Sequence, residues 1–90
     1  MTHRYGQPVP VSLAADLPIA FQWRGVRYVV LEVLATWRLR DRWWEHASPL
    51  AAVLGASDRT YFRVRCVREQ IFDLYYDAAT ALWVLDRAYD

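Results

Sequence analysis

Ninety residues with 56% hydrophobic and 16% aromatic content make one folded domain, 1–90, rather than a disordered chain or two cores. Eleven basic residues stand against ten acidic ones for a net charge of +1, and every one of the eleven is arginine. That balance excludes a polybasic coat holding nucleic acid by charge alone, while leaving room for a local basic patch.

The N-terminal run Met1-Thr2-His3-Arg4 meets Gly6, Pro8 and Pro10 instead of the unbroken apolar stretch of a signal peptide. The longest apolar run, Tyr28 to Trp37, is interrupted by Glu32 and is too short to span a bilayer. A lone cysteine, Cys66, has no internal disulfide partner and suits a reducing compartment. The expected location is therefore the cytoplasm, away from membranes.

Along the chain, Val9, Val11 and Leu13 alternate with Pro10, Ser12 and Ala14, predicting a first strand that Pro10 confines to an edge. His3 falls in the lead-in before it. Ala15 to Pro18 turns the chain into a second strand, in which Ile19, Phe21 and Trp23 share a face. Arg24-Gly25 fits a two-residue hairpin loop, because glycine supplies the positive φ of a tight primed turn. Closure there sets Trp23 opposite Val26, Gln22 opposite Arg27 and Phe21 opposite Tyr28. The third segment, Val26 to about Leu39, is β-branched and aromatic and apolar on both alternating sets. It reads as a central strand, doubly covered or sharply bent, with a helix over Leu31 to Arg40 as the rival. Arg40 to Asp58 is irregular: a turn at Arg40-Asp41-Arg42, a short strand or corner at Trp43-Trp44, and one helical turn from Ser48-Pro49 to Leu54 that Gly55 stops. Phe62, Val64 and Cys66 then alternate with Tyr61, Arg63 and Arg65; Arg68-Glu69-Gln70 turns, and Ile71 to Tyr76 returns. Asp77-Ala78-Ala79-Thr80 forms a loop whose carboxylate accepts backbone N–H groups. Leu82 to Tyr89 closes the chain, with Trp83 and Leu85 facing Leu74 and Phe72. The expected fold is mainly β, a twisted antiparallel sheet or small barrel of five to six strands built from hairpins, with at most one short helix.

No catalytic constellation stands out. His3 and His46 lack the spacing of zinc ligands, no glycine-rich phosphate cradle exists among three glycines, and Cys66 lies on the apolar side of its strand as a small core residue. Metal, cofactor and catalytic residues are therefore not expected. Asp73 points away from Phe72 and Leu74 toward solvent, where it and Asp86 pair with arginines across strands. Glu32 interrupts an apolar strand and needs either a partner such as Arg63 or Arg65 or a bulge that turns it outward.

Arginine interleaved with aromatics is the pattern that suggests a ligand. Guanidinium groups fit phosphates bidentately and aromatic faces stack on unpaired bases, so Arg24, Arg27, Arg63, Arg65 and Trp23 form a candidate single-stranded nucleic-acid surface. A chain without Lys or Asn but rich in Ala, Arg and Val also reflects a GC-rich genome, which weakens that inference. The aromatic surplus points elsewhere: a leftover patch of Trp43, Trp44 and Tyr61 reads as a protein interface or homodimer seam.

The strings Arg4-Tyr5-Gly6-Gln7-Pro8-Val9, Phe21-Gln22-Trp23-Arg24-Gly25-Val26-Arg27-Tyr28, Trp43-Trp44, Arg59-Thr60-Tyr61-Phe62-Arg63-Val64, Leu74-Tyr75-Tyr76-Asp77-Ala78-Ala79-Thr80-Ala81-Leu82-Trp83 and Arg87-Ala88-Tyr89-Asp90 carry a resemblance over nearly the whole chain. It resembles a family of small actinobacterial proteins of unknown function, often encoded near error-prone and Y-family DNA polymerases. The resemblance implies a link to DNA damage tolerance and no catalytic residue. Where that family has Thr-Gly, this chain has Thr80-Ala81. The combined expectation is a non-enzymatic interaction module of DNA repair or translesion synthesis with a protein partner, and direct single-strand binding is the alternative.

Overall fold

The computed structural model describes residues 2–40 and 58–89. Its elements are β1 (Thr2–Pro8), β2 (Val11–Ala14), β3 (Leu17–Trp23), β4 (Val26–Arg40), β5 (Asp58–Cys66), a 3-10 turn (Val67–Glu69), β6 (Ile71–Asp77) and β7 (Leu82–Tyr89). All strands pair antiparallel in one seven-stranded sheet of order β1-β7-β6-β5-β4-β3-β2. The mainly antiparallel β expectation holds, but the count is seven strands rather than five to six. The extra one is β1, which includes His3 and pairs with β7 from Thr2↔Tyr89 to Pro8↔Val84. It has no apolar alternation to announce it and is held by its neighbour's backbone, with an irregularity between Arg4 and Gln7 where Gly6 takes φ +62°. Trp43, Trp44, His46 and the helical turn expected over Ser48 to Leu54 lie outside the described residues.

The sheet curls into a half-barrel whose two terminal strands in the pairing order, β1 and β2, are consecutive in the chain. The link between them is hydrogen-bonded on both sides: Val9 N–H donates to the Trp83 carbonyl at 3.0 Å, and Gln22 N–H donates to the Pro10 carbonyl at 3.1 Å. Pro10 donates nothing itself, so an edge is where it costs least. No helix among the described residues is long and apolar enough to cross a membrane.

Turn chemistry sets the registers. Arg24 and Gly25 take φ +53° and +75°, the paired left-handed residues of a primed hairpin. The pairs Trp23↔Val26, Gln22↔Arg27 and Phe21↔Tyr28 follow as expected. Ala15 and Asp16, at φ +50° and +63°, make a second such turn between β2 and β3. At the β6–β7 loop the Asp77 carboxylate accepts the Ala79 N–H at 3.0 Å, as its position predicted. The register beyond the loop differs from expectation: Trp83 faces Tyr76, Leu85 faces Leu74, and a shift between Asp73 and Leu74 sets Ala88 opposite Phe72. The loop runs over residues 78–81, one position later than expected, and ends at Ala81 with φ +57°.

The inner face carries the core, where Val9, Phe21, Trp23, Phe62, Val64, Cys66, Phe72, Leu74, Leu85 and Ala88 pack together. Phe21 stacks on Tyr28 at 5.1 Å and meets Phe72 edge-on at 5.2 Å, so the aromatic residues fill the curl as the composition required. Cys66 is buried, and burial pushes its thiol up to about 11.

Strand β4 runs through the whole sheet and changes partner midway: it pairs with β3 from Val26 to Val29 and with β5 from Val30 onward. Just past that handover the β4–β5 register slips twice, between Val30 and Glu32 and again between Val33 and Ala35, leaving Leu31 and Leu34 without opposite residues. Each slip is a β-bulge, which bends the strand and re-aims its side chains. The bulges explain why this segment reads as apolar on both alternating sets and also mimics helical spacing. It is a sharply bent strand, and Leu31 and Leu34 are 54% and 43% exposed rather than covered.

Candidate functional site

The arginines singled out from the sequence divide into two groups. Arg63 and Arg65 project from the outer face of β5, where both are committed to acids. Arg63 holds Asp73 through Nε at 2.9 Å and Nη2 at 3.3 Å, and also donates to the Tyr89 hydroxyl at 2.9 Å. The Tyr89 hydroxyl donates in turn to Asp73 at 2.6 Å. Asp73 is 2% exposed, so the solvent-facing carboxylate expected there is instead the buried centre of a closed triad. Cross-strand pairing with an arginine holds, the partner being Arg63, but the exposure does not, because the Arg63 and Tyr89 side chains bond to Asp73 over the outer face. The hydrogen bond and charge of Asp73 raise the Arg63 guanidinium pKa, and burial followed by the hydrogen bond to Asp73 raises that of Tyr89. Arg65 bridges Glu32 at 3.2 Å and Glu69 at 3.4 Å, so the bulge turns Glu32 outward and the arginine meets it there. Asp86 lies 3.6 Å from its neighbour Arg87, not from an arginine across the sheet.

Arg24 and Arg27 sit at the opposite extreme. Both belong to the β3–β4 hairpin end, and neither forms an ion pair with an acid among the described residues; the same holds for Arg68 on the turn after β5. Arg27 and Arg68 line one cavity of about 510 Å³ with Tyr28 and Gln70. Arg24 lies over the Trp23 ring at 4.3 Å and the Tyr5 ring at 5.1 Å. Trp23 itself is packed rather than presented: it is buried against Tyr5, Tyr28 and Phe72, and its indole N–H donates to Gln7 at 2.9 Å. The structure therefore separates Arg24 and Arg27 from Arg63 and Arg65 and removes Trp23 from the surface.

Of the aromatic patch, Tyr61 is within the described residues, and it is buried rather than exposed. Its ring stacks on Trp37 at 5.2 Å and 6° and meets Tyr75 at 5.1 Å, forming a second apolar cluster with Val84 on the outer face. Arg59 and Arg63 cover this ribbon, over Tyr75 at 4.8 Å and over Trp37 at 5.3 Å.

The surface that sequence reasoning missed is the apolar outside of β3 and β4. Ile19, Val29, Leu31, Leu34 and Leu39 are all exposed. Ile19 resembles the two bulged leucines, since the β2–β3 register passes from Ala20 to Pro18 and leaves it without a partner. The sequence signal of this surface is the doubled apolar pattern of β4, which fits either a doubly covered or a sharply bent strand, and the register shifts select the bent one. No group of three or more His, Cys, Asp or Glu residues gathers among the described residues.

A family described as a domain of unknown function, DUF6504, matches residues 1–90. No curated protein and no solved structure matches the chain.

Proposed function

Since the chain belongs to the DUF6504 family over its full ninety residues, whose function is unknown, we propose from its own surface that it is a non-enzymatic module binding a protein partner through the outside of β3 and β4. The observation that carries this reading is the pair of bulges at which Leu31 and Leu34 stand without opposite residues, both exposed on one strand. A bulge costs ladder hydrogen bonds, and an exposed apolar strand invites unwanted pairing. Spending both to display leucine supports a recognition surface. The resemblance to proteins encoded near error-prone polymerases supports a partner from the DNA-damage-tolerance machinery, met in the cytoplasm.

The test is affinity capture from DNA-damaged cells with wild-type bait and with a Leu31→Glu/Leu34→Glu double variant. The wild type retains a specific partner and the variant, folded by circular dichroism, loses it. Equal recovery on both baits, or none on either, overturns the reading. Sedimentation of the purified domain reveals the special case in which the partner is a second copy.

A second reading has its own support in Arg24, Arg27 and Arg68 at the hairpin end, which pair with no acid among the described residues and lie close to Tyr5 and Tyr28. Uncommitted guanidinium groups retain their capacity for phosphate. Single-stranded oligonucleotide binding through this end would quench tryptophan fluorescence less at higher salt and would disappear in Arg24→Ala/Arg27→Ala. No response up to roughly 100 μM oligonucleotide, the range of non-specific binding, removes it.

A further inference from the structure

The end of the half-barrel opposite the arginines holds a cavity of about 400 Å³ lined by Leu13, Asp16, Thr60, Phe62, Tyr76 and Trp83. Strand register assembles it. Thr60 pairs with Tyr76 and Tyr76 with Trp83, so these side chains form one row across β5, β6 and β7, and Phe62 stands in the next row on the same face. The Trp83 ring lies 5.4 Å from both Phe62 and Tyr76, inclined at 39° and 52°. Rings tilted in this way form a funnel rather than a flat stack. Above the funnel, the β2–β3 turn carries Asp16 at φ +63°. Its carboxylate forms no ion pair among the described residues. Arg38, next along the row opposite Thr60, is held by Asp58 at 2.8 Å and does not line the cavity.

Aromatic faces carry negative charge density, and a carboxylate beside them adds a full negative charge. A carboxylate that pairs with no cation among the described residues, over a tryptophan–tyrosine–phenylalanine funnel, is complementary to an organic cation. The mouth opens beside Leu13, which is exposed, giving an apolar wall along which a methylene stem can lie. We propose that this cavity takes the cationic side chain, lysine or arginine, of a partner polypeptide. The head group sits against Trp83 and Tyr76 and pairs with Asp16, while the stem lies on Leu13. This site is on the inner face, distinct from the Leu31 and Leu34 surface, so neither reading depends on the other.

The experiment follows the Trp83 indole N–H by NMR, assigned with Trp83→Phe, in the full chain. The probes are a blocked lysine amide, a blocked arginine amide, the Nε-acetyl lysine amide as neutral counterpart, and tetramethylammonium. A shift is expected with lysine or arginine and not with acetyl-lysine, and Asp16→Asn weakens it at least several-fold. Asparagine tolerates the left-handed conformation as aspartate does, so that variant keeps the turn; Leu31→Glu/Leu34→Glu leaves the titration unchanged. The proposal fails if acetyl-lysine shifts the signal equally, if Asp16→Asn binds like wild type, if tetramethylammonium alone binds, or if no probe acts up to roughly 10 mM, beyond the millimolar range of weak complexes.

Discussion

Arg63 and Arg24 are the same residue type, each beside a tryptophan-containing aromatic cluster, yet the fold gives them opposite electrostatic states. Arg63 is closed into Asp73 and Tyr89 on the outer face of β5, whereas Arg24 at the hairpin tip meets only the faces of Trp23 and Tyr5 and no acid among the described residues. The difference lies in cross-strand register. Arg63 has Asp73 directly opposite on β6; Arg24 is in a turn and has no opposite residue. A guanidinium that already satisfies a buried carboxylate is structural, and one that does not is available to a ligand.

Removing the acid is the strongest way to break this contrast. Asp73→Ala leaves the Arg63 fork and the Tyr89 hydroxyl without their shared acceptor, and should cost about 2–3 kcal/mol by urea unfolding, the range for hydrogen bonds to charged groups. A loss below about 1 kcal/mol would make the triad incidental. Raising the pH attacks the same network from the Tyr89 side. Burial and the hydrogen bond to Asp73 raise the Tyr89 pKa, so the fold favours the protonated phenol. Its contribution is complete below the ordinary tyrosine value and is lost as pH rises through the higher folded value. Cys66, raised from 9.0 to about 11 by burial, acts in the same direction, as does Tyr75. Unfolding midpoints should therefore fall between about pH 9 and pH 11.5, less steeply in Tyr89→Phe; an equal slope in that variant would place the whole effect on the other two groups.

Smaller effects sharpen the contrast. Arg65 shares the outer face with Arg63, but its partners Glu32 and Glu69 are 54% and 83% exposed, so Arg65→Ala should cost only about 0.5–1 kcal/mol, reduced further at high salt. At the hairpin tip, Arg27→Ala should leave the unfolding midpoint nearly unchanged, and Arg24→Ala should lose no more than about 0.5–1 kcal/mol of cation–π contact. If either costs as much as Asp73→Ala, the tip is structural and its value as a ligand site falls.

Much of the sheet could be read from short-range chemistry. The Arg24-Gly25 hairpin and its registers, the Asp77 turn and the buried side of Cys66 each depend on residues a few positions apart. Strand β1 could not be read, because Thr2 to Pro8 has no periodicity and owes its conformation to β7, its partner from the other end of the chain. The two proposed surfaces were equally hidden. Leu34 joins Leu31 on the outer side only because the β4–β5 register slips at these two positions, and Asp16 and Trp83 line one cavity only through the curl of the sheet.

By itself the sequence determined a β domain with an aromatic core, turn positions and a charge balance too even for a general nucleic-acid coat. These follow from local backbone preferences and composition. Tertiary structure decided which arginines are neutralised, that Tyr61 and Trp23 are buried, and that leucine is displayed on a bent β4. The physical reason is that ion pairing, bulging and exposure depend on what stands across the sheet, and strands distant in sequence supply that neighbour.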